Sequence, residues 1–360
     1  MRVPMDPDGI PWTKYPAIAV EKTARKWLES QALLGLSRNT VEAYARGLQE
    51  FLEYCKRGGI TPVEATREQV IRFVGELRRR PSPRGANVLV LDSGVGLSNA
   101  TLQQRMTSVR LFFDYVTEEG LRAANPVGRG KYRTGNAFGV GQAKGLIPRY
   151  KKLPWIPGDD QWNVFLLAAR EEPIRNRCMI GLAYDAALRR EELCLVESGD
   201  IDPAHRTVRV RAETTKSRRE RLVLYSAATG DLLKAYLLHR HTLSRERGPL
   251  FLSESRRNYS KPITMWTWSK VIRRIADRAG LPQMSTHTLR HLCLTDLARA
   301  GWDLHEIARF AGHRSLETTQ QYVHLSCRDL ALKVALGMDQ IHEWRARVLA
   351  ETFLEREEWS

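Results

Sequence analysis

Cysteine is scarce and scattered in this sequence. Cys55, Cys178, Cys194, Cys293 and Cys327 form no CxxC pair and no disulfide framework, which argues against a zinc ribbon and fits a reducing cytoplasm. Long apolar runs are missing: no stretch approaches the ~20 residues that a bilayer-spanning helix needs, so no membrane segment is expected. The opening residues, MRVPMDPDGIPW, hold acids and prolines where a secretory signal has an apolar core, so no signal is expected. The chain lacks a GxxxxGKS/T or GxGxxG phosphate loop, an HExxH helix, and any His/Asp/Glu group at metal-ligand spacing. Neither a cofactor nor a metal is therefore expected.

Acidic residues are also in short supply. In 360 residues, 57 Lys and Arg face 41 Asp and Glu, a net charge of +16 with a pI near 9.9. Such a balance makes a polyanion the leading partner. Residues 1–152 carry 25 basic and 14 acidic side chains, residues 153–335 carry 29 and 21, and residues 336–360 carry 3 and 6. The front part is thus the better candidate for gripping a polyanion, and the tail is not a nucleic-acid arm. The basic residues are spread along the chain and not gathered on one amphipathic helix, which argues against a membrane surface. With 42% hydrophobic and 8% aromatic residues the chain can build real cores, and its length suggests two or three domains of ~100–200 residues each.

After an N-terminal extension, 1–16, residues 17–127 read as a basic domain of four helices. Val41, Tyr44, Leu48, Phe51, Leu52 and Cys55 recur at helical spacing, Thr66 with Gln69 is a capping-box start, and Ser98 opens another apolar-faced helix. Between them, residues 81–97 are rich in Pro and Gly and read as a loop, with a short hairpin around VLVLD. Residues 128–152 contain six glycines, seven basic residues and no acid. That composition does not pack as a core, and it predicts a flexible linker lying along phosphates through Arg129, Lys131, Arg133, Lys144, Arg149, Lys151 and Lys152. A second domain, 153–335, reads as helices around two strands, 207–213 and 219–226, joined by the polar turn TTKSRR. The fold class is therefore mainly α with a small antiparallel β-sheet, α+β. The tail, 336–360, continues an amphipathic pattern over 330–353 that suits a helix docked on a neighbouring protomer or on its own domain.

Several features of the second domain can carry chemistry. Arg189 begins RREELCLV after an apolar helix, where a helix N-terminus and a guanidinium together hold an anion. Lys216 sits in the turn between the strands, where it projects away from the sheet, with Arg218 and Arg219 beside it as further candidate contacts to a polyanion. His287 and Arg290 are three apart on a helix and face the same way; with His291 they make a cationic, proton-exchanging face. His313 follows Gly312 at a helix end, and Tyr322 lies on the next short helix. Each alone has a plain structural explanation, such as a surface ion pair, a charged hairpin tip or a core tyrosine.

Taken in order, ALRREEL, the strand–Lys–strand unit, THTLRHLCLTDLARAG and FAGHRSLETTQQYVH resemble the catalytic domain of tyrosine recombinases, the phage integrase family. The resemblance covers about 153–330, and extends less specifically to 17–127, where SRNTVEAY from Ser37 is similar to the start of the family's core-binding domain. It implies that Arg189 is the first catalytic arginine and Lys216 the hairpin lysine. It also implies that His287 and Arg290 form the HxxR pair, that His313 is the later histidine, and that Tyr322 is the nucleophile. The sequence departs from the family in having Ala187 and Leu188 before Arg189, Ala311 in the LGH-like box, and the long basic linker and the 81–97 insertion.

The resemblance further implies a two-domain DNA clamp and a metal- and ATP-independent strand transfer through a 3′-phosphotyrosine. The expected partner is double-stranded DNA with specific recombination sites. The enzyme would be a homotetramer on DNA and a monomer or weak oligomer without it, pass through a Holliday junction, and work with or without accessory proteins of its element, in a bacterial cytoplasm at the nucleoid. Integration, excision or transposition of a mobile element is the leading expectation, with chromosome or plasmid dimer resolution as the alternative. A non-catalytic DNA-binding protein of the same fold, a type IB topoisomerase-like enzyme and a basic RNA-binding protein are the rivals. The complete set of six residues argues against the first of these, because a degenerate copy is expected to lose Tyr322 or an arginine.

Overall fold

The computed structural model of the chain describes residues 9–80, 97–127, 147, 153–215 and 218–325. The chain divides into two compact units, Met1–Lys151 and Lys152–Ser360.

The first unit is helical: α1 Pro16–Val20, α2 Lys22–Leu33, α3 Arg38–Arg57, α4 Arg67–Arg79 and α5 Asn99–Glu118. Ser37 and Ser98 start α3 and α5 by accepting the backbone N–H of Thr40 and Thr101, and Thr66 and Gln69 cap each other at α4. Phe51, Phe73, Phe112 and Phe113 meet edge-on or tilted at the centre, with Trp27 beside Phe112. Gly47 lets α3 and α5 approach closely, since a Cβ there would lie 2.6 Å from Ser108 Oγ. One expectation is corrected. Part of the stretch assigned to an N-terminal extension is core: Ile10, Trp12 and Tyr15 are buried in this unit, and Gln49 accepts the N–H groups that open α1, at Ala17 and Ile18. Proline and aspartate in the first residues hid that apolar set. The VLVLD hairpin lies outside the described residues.

The second unit contains α6 Asp159–Arg170, α7 Ile174–Asp185, α8 Arg190–Cys194, β1 Ile201–Asp202, β2 Thr207–Val210, β3 Arg221–Leu224, α9 Ala227–Leu243, α10 Met265–Arg278, α11 Thr286–Arg299, α12 Leu304–Ala311 and α13 Glu317–Leu325. The strands form one antiparallel sheet in the order β1-β2-β3, with Ile201 opposite Val208 and Val208 opposite Val223. Two strands were expected, and β1 adds a third whose two residues are too few to show an alternating pattern. Its core gathers Phe165, Leu182, Tyr236, Phe251, Trp268 and Leu289. Buried Glu172 ties the α6–α7 turn to α10 through Arg274 and Arg278. Among the described residues no helix is long and apolar enough to cross a membrane.

Candidate active site

The site is assembled around the C-terminal end of α12. A helix leaves its last carbonyls without intrahelical partners, and they carry the negative end of the helix dipole. Here three successive carbonyls each accept from a different arginine. Phe310 O takes Arg221 Nε at 3.1 Å, Ala311 O takes Arg290 Nη2 at 2.6 Å, and Gly312 O takes Arg189 Nη2 at 3.3 Å. Gly312 closes the helix in the left-handed conformation, φ 63°, which glycine adopts without strain. A Cβ there would also meet Arg221 Nη1 at 3.0 Å.

Two of these arginines share one buried carboxylate. Arg189 occupies the N-cap of α8, and Glu192, three residues on, accepts its backbone N–H at 2.9 Å and its Nη1 at 2.7 Å. Arg221, at the start of β3, donates to both oxygens of the same carboxylate, at 3.2 and 2.7 Å. Burial would raise the Glu192 carboxyl, but the hydrogen bonds and charge of Arg221, with the charge of Arg189, outweigh it and hold it at about 2. Because the folded value lies below the ordinary carboxylate value, this stabilisation is complete above about pH 5 and is lost as pH falls through about 2. The group is expected to contribute roughly 3 kcal/mol at neutral pH. Acid-unfolding curves should show that contribution in the native chain and lack it in Glu192→Gln, which should also be less stable at neutral pH because two guanidiniums lose their counter-charge.

Arg290, on α11, is buried with its charge. It donates to Ala187 O as well as Ala311 O, and its Nη2 lies 3.0 Å from His313 Nε2. Burial and the neighbouring Arg189 lower it to about 10, so it stays charged at neutral pH. A guanidinium has only donors, so His313 Nε2 is the acceptor in that pair. The proton of His313 then sits on Nδ1 and is donated to Thr319 Oγ1 at 2.8 Å. Burial and the charges of Arg290, Arg189 and Arg221 keep His313 neutral, at about 3. Ala187, whose carbonyl Arg290 binds, has φ 45°, the left-handed region that favours glycine, and α7 accordingly stops at Asp185.

Tyr322, on α13, lies against this cage with 1% of its surface exposed. Its ring stacks on His313 at 6.0 Å with a 7° interplanar angle, and its Oη lies 2.9 Å from His291 Nδ1. Burial raises the phenol above its ordinary value, while Arg290 pulls it back.

A model of the phage integrase family matches residues 159–328, and one of the phage integrase N-terminal SAM-like domain matches residues 31–120. Tyrosine recombinase XerC of Corynebacterium efficiens is 30% identical over 244 residues, 65% of this chain and 70% of that protein. The chain belongs to the phage integrase family of tyrosine recombinases. Enzymes of this family cleave and rejoin DNA strands. Transposase A from transposon Tn554 of Staphylococcus aureus is a further relative, 28% identical over 323 residues, 82% of this chain and 85% of that protein. The crystal structure of XerH site-specific recombinase bound to palindromic difH substrate, a post-cleavage complex, shares the fold. Its TM-score is 0.62 at 20% identity, and the match covers 89% of this chain and 90% of that one.

Among the residues singled out from the sequence, the structure brings Arg189, Arg290, His313 and Tyr322 together in one chain. His287 is exposed near the start of α11. Arg218 and Arg219 are exposed on the segment leading into β3, and Arg219 borders a cavity of about 620 Å³ that also reaches Arg221, Trp302 and His313. Lys216 lies outside the described residues, as do Arg129, Lys131, Arg133, Lys144, Arg149, Lys151, Lys152 and the tail 336–360. Sequence reasoning allowed an ion pair of Arg189 with Glu191 or Glu192, of which the structure shows Glu192, but it missed the burial of that carboxylate and the part of Arg221. His291 was placed on the right face of its helix but given no partner.

Proposed function

We propose that this chain is a site-specific recombinase acting on double-stranded DNA in the integration, excision or transposition of a mobile element. The observation that carries this reading is the position of Tyr322, packed on His313 beside Arg290 and Arg189 within a single subunit. Attack on a phosphodiester meets an anion, so the transition state needs preorganised donors around the non-bridging oxygens. Arg290 spends three of its N–H groups on Ala187, Ala311 and His313, which leaves two of its five for phosphate. Arg189 is held at the cage mouth by Glu192 and Gly312, side chain 23% exposed. An incoming phosphate that draws Arg290 to itself would free His313 Nε2, which becomes a further donor only once it takes up a proton.

In this reading Tyr322 Oη attacks phosphorus, giving a 3′-phosphotyrosine and a free 5′-OH. Lys216 protonates the departing 5′ oxygen. The link conserves the energy of the phosphodiester, so a 5′-OH from a second duplex reseals the strand without ATP. His287 faces the incoming DNA from the exposed end of α11. Cations of the 128–152 segment, with Arg218 and Arg219, bind the backbone, and each unit contacts the duplex. Four protomers pair two sites, and the protein works at the nucleoid, with accessory proteins of its element where that element encodes them. The likeness to a Tn554 transposase, the 81–97 insertion and the long basic segment favour a mobile element. The likeness to XerC supports dimer resolution as the second reading.

A strand-exchange assay tests the proposal. Two duplexes carrying the cognate site, one of them labelled, should yield recombinant strands in EDTA without nucleotide. Binding should weaken steeply with salt, since phosphate contacts release counterions. Relaxation of supercoiled plasmid without exchange would favour a topoisomerase-like enzyme instead.

A further inference from the structure

One contact of the nucleophile remains without a role. His291 follows Arg290 on α11, and its Nδ1 is 2.9 Å from Tyr322 Oη, hydrogen-bonding distance for a phenol and an imidazole. We propose that His291 is a catalytic residue that takes the phenol proton of Tyr322 as its oxygen bonds to phosphorus, and returns it on rejoining. The inference rests on the function proposed above.

Geometry sets His291 apart from the other histidines of the site. Both nitrogens of His313 are engaged, Nε2 by Arg290 and Nδ1 by Thr319, and its ring lies face-on to the tyrosine. His287 is exposed one helical turn earlier, on the same face of α11 as His291. Tyr322 is almost fully buried, so bulk water does not compete for its proton. His291 is neutral in the free protein: burial first, then His287 and Arg290, lower it to about 4. A neutral imidazole offers one lone pair, and the phenol, the stronger acid of the two, donates to it. The charge of Arg290 is one that a bound phosphodiester offsets, so arrival of DNA makes His291 more basic when a base is required.

The step balances. The phosphorus–Oη bond forms as the phosphorus–O5′ bond breaks, the phenol proton passes to His291 Nδ1, and the 5′ oxygen leaves with a proton from a separate donor, the part proposed for Lys216. In rejoining, an attacking 5′-OH gives its proton to that donor and His291 protonates the departing phenolate.

Adduct formation on a nicked duplex tests this, measured in a single turnover with the native chain, His291→Ala and His291→Gln. Glutamine keeps an acceptor near the phenol but cannot take a proton, so it separates holding from proton transfer and guards against a folding defect. Both variants are expected to form adduct at least ~10²-fold more slowly, the usual scale of general base catalysis, with unchanged DNA affinity. A substrate with sulfur in place of the departing 5′ oxygen, which leaves without protonation, should rescue Lys216→Ala but not His291→Gln. Native-rate cleavage by His291→Gln, or rescue of that variant by sulfur, overturns the inference alone. Failure of the native chain to form any adduct overturns the function on which it rests.

Discussion

Tyr322→Phe is expected to leave no covalent DNA–protein complex on a nicked duplex while DNA binding persists. The substitution removes one oxygen and keeps the ring that stacks on His313. What the fold loses is the contact to His291 Nδ1, on the order of 1 kcal/mol for a hydrogen bond of this kind. Thermal stability should therefore shift by only a few degrees. Among the described residues near the site, none stands ready to replace the proposed nucleophile: the Tyr184 hydroxyl donates to Asp296, and burial pushes the Cys293 thiol up to about 12, far from a reactive thiolate. An adduct that survived in Tyr322→Phe would place the nucleophile elsewhere.

Arg290→Ala is expected to reduce cleavage by ~10³-fold or more, since loss of one preorganised donor already costs ~10²–10³ and Arg290 offers two to the phosphate while steering His313. Two effects on stability oppose each other. Ala187 and Ala311 lose their donor, at roughly 1–3 kcal/mol for each carbonyl left unsatisfied. The fold is also relieved of a buried charge that repels Arg189 and Arg221. The variant should thus fold and bind DNA, with its defect concentrated in single-turnover cleavage. Arg290→Lys should be nearly as slow, because one ammonium cannot reproduce a planar fork that spans Ala187, Ala311 and His313 at once. Cleavage at the native rate by either variant would remove Arg290 from the mechanism.

Much of the second unit's helical order was legible because its signals are local. The Asp303 to Gly312 segment carries a capping box at one end and glycine at the other, and α12 runs over the expected Leu304–Ala311. The Thr66–Gln69 box was legible for the same reason. Arg189 falls at a helix start, as its place after an apolar helix suggested. What composition concealed was Trp12 and Tyr15, core residues within a proline-rich opening.

In the site, the order of residue types was visible but the acceptors were not. Every residue has a carbonyl, so nothing in the sequence marks those of Ala187, Phe310, Ala311 and Gly312 as the anchors of three arginines. Glu192 and Arg221 are 29 positions apart, and their pairing follows from β3 reaching the end of α12, a tertiary fact. His291 is the exception: it lies four residues after His287 on one helical face, a signal that was present without a partner to give it meaning.

The most direct test of the whole account is to map the covalent bond. The native chain is trapped on a nicked duplex, digested with protease and nuclease, and the nucleotide-bearing peptide is sequenced by mass spectrometry. The account predicts a 3′-linked nucleotide on the oxygen of Tyr322, with a free 5′-OH on the released strand. A nucleotide on any other side chain, or a 5′-linked one on Tyr322, would contradict it.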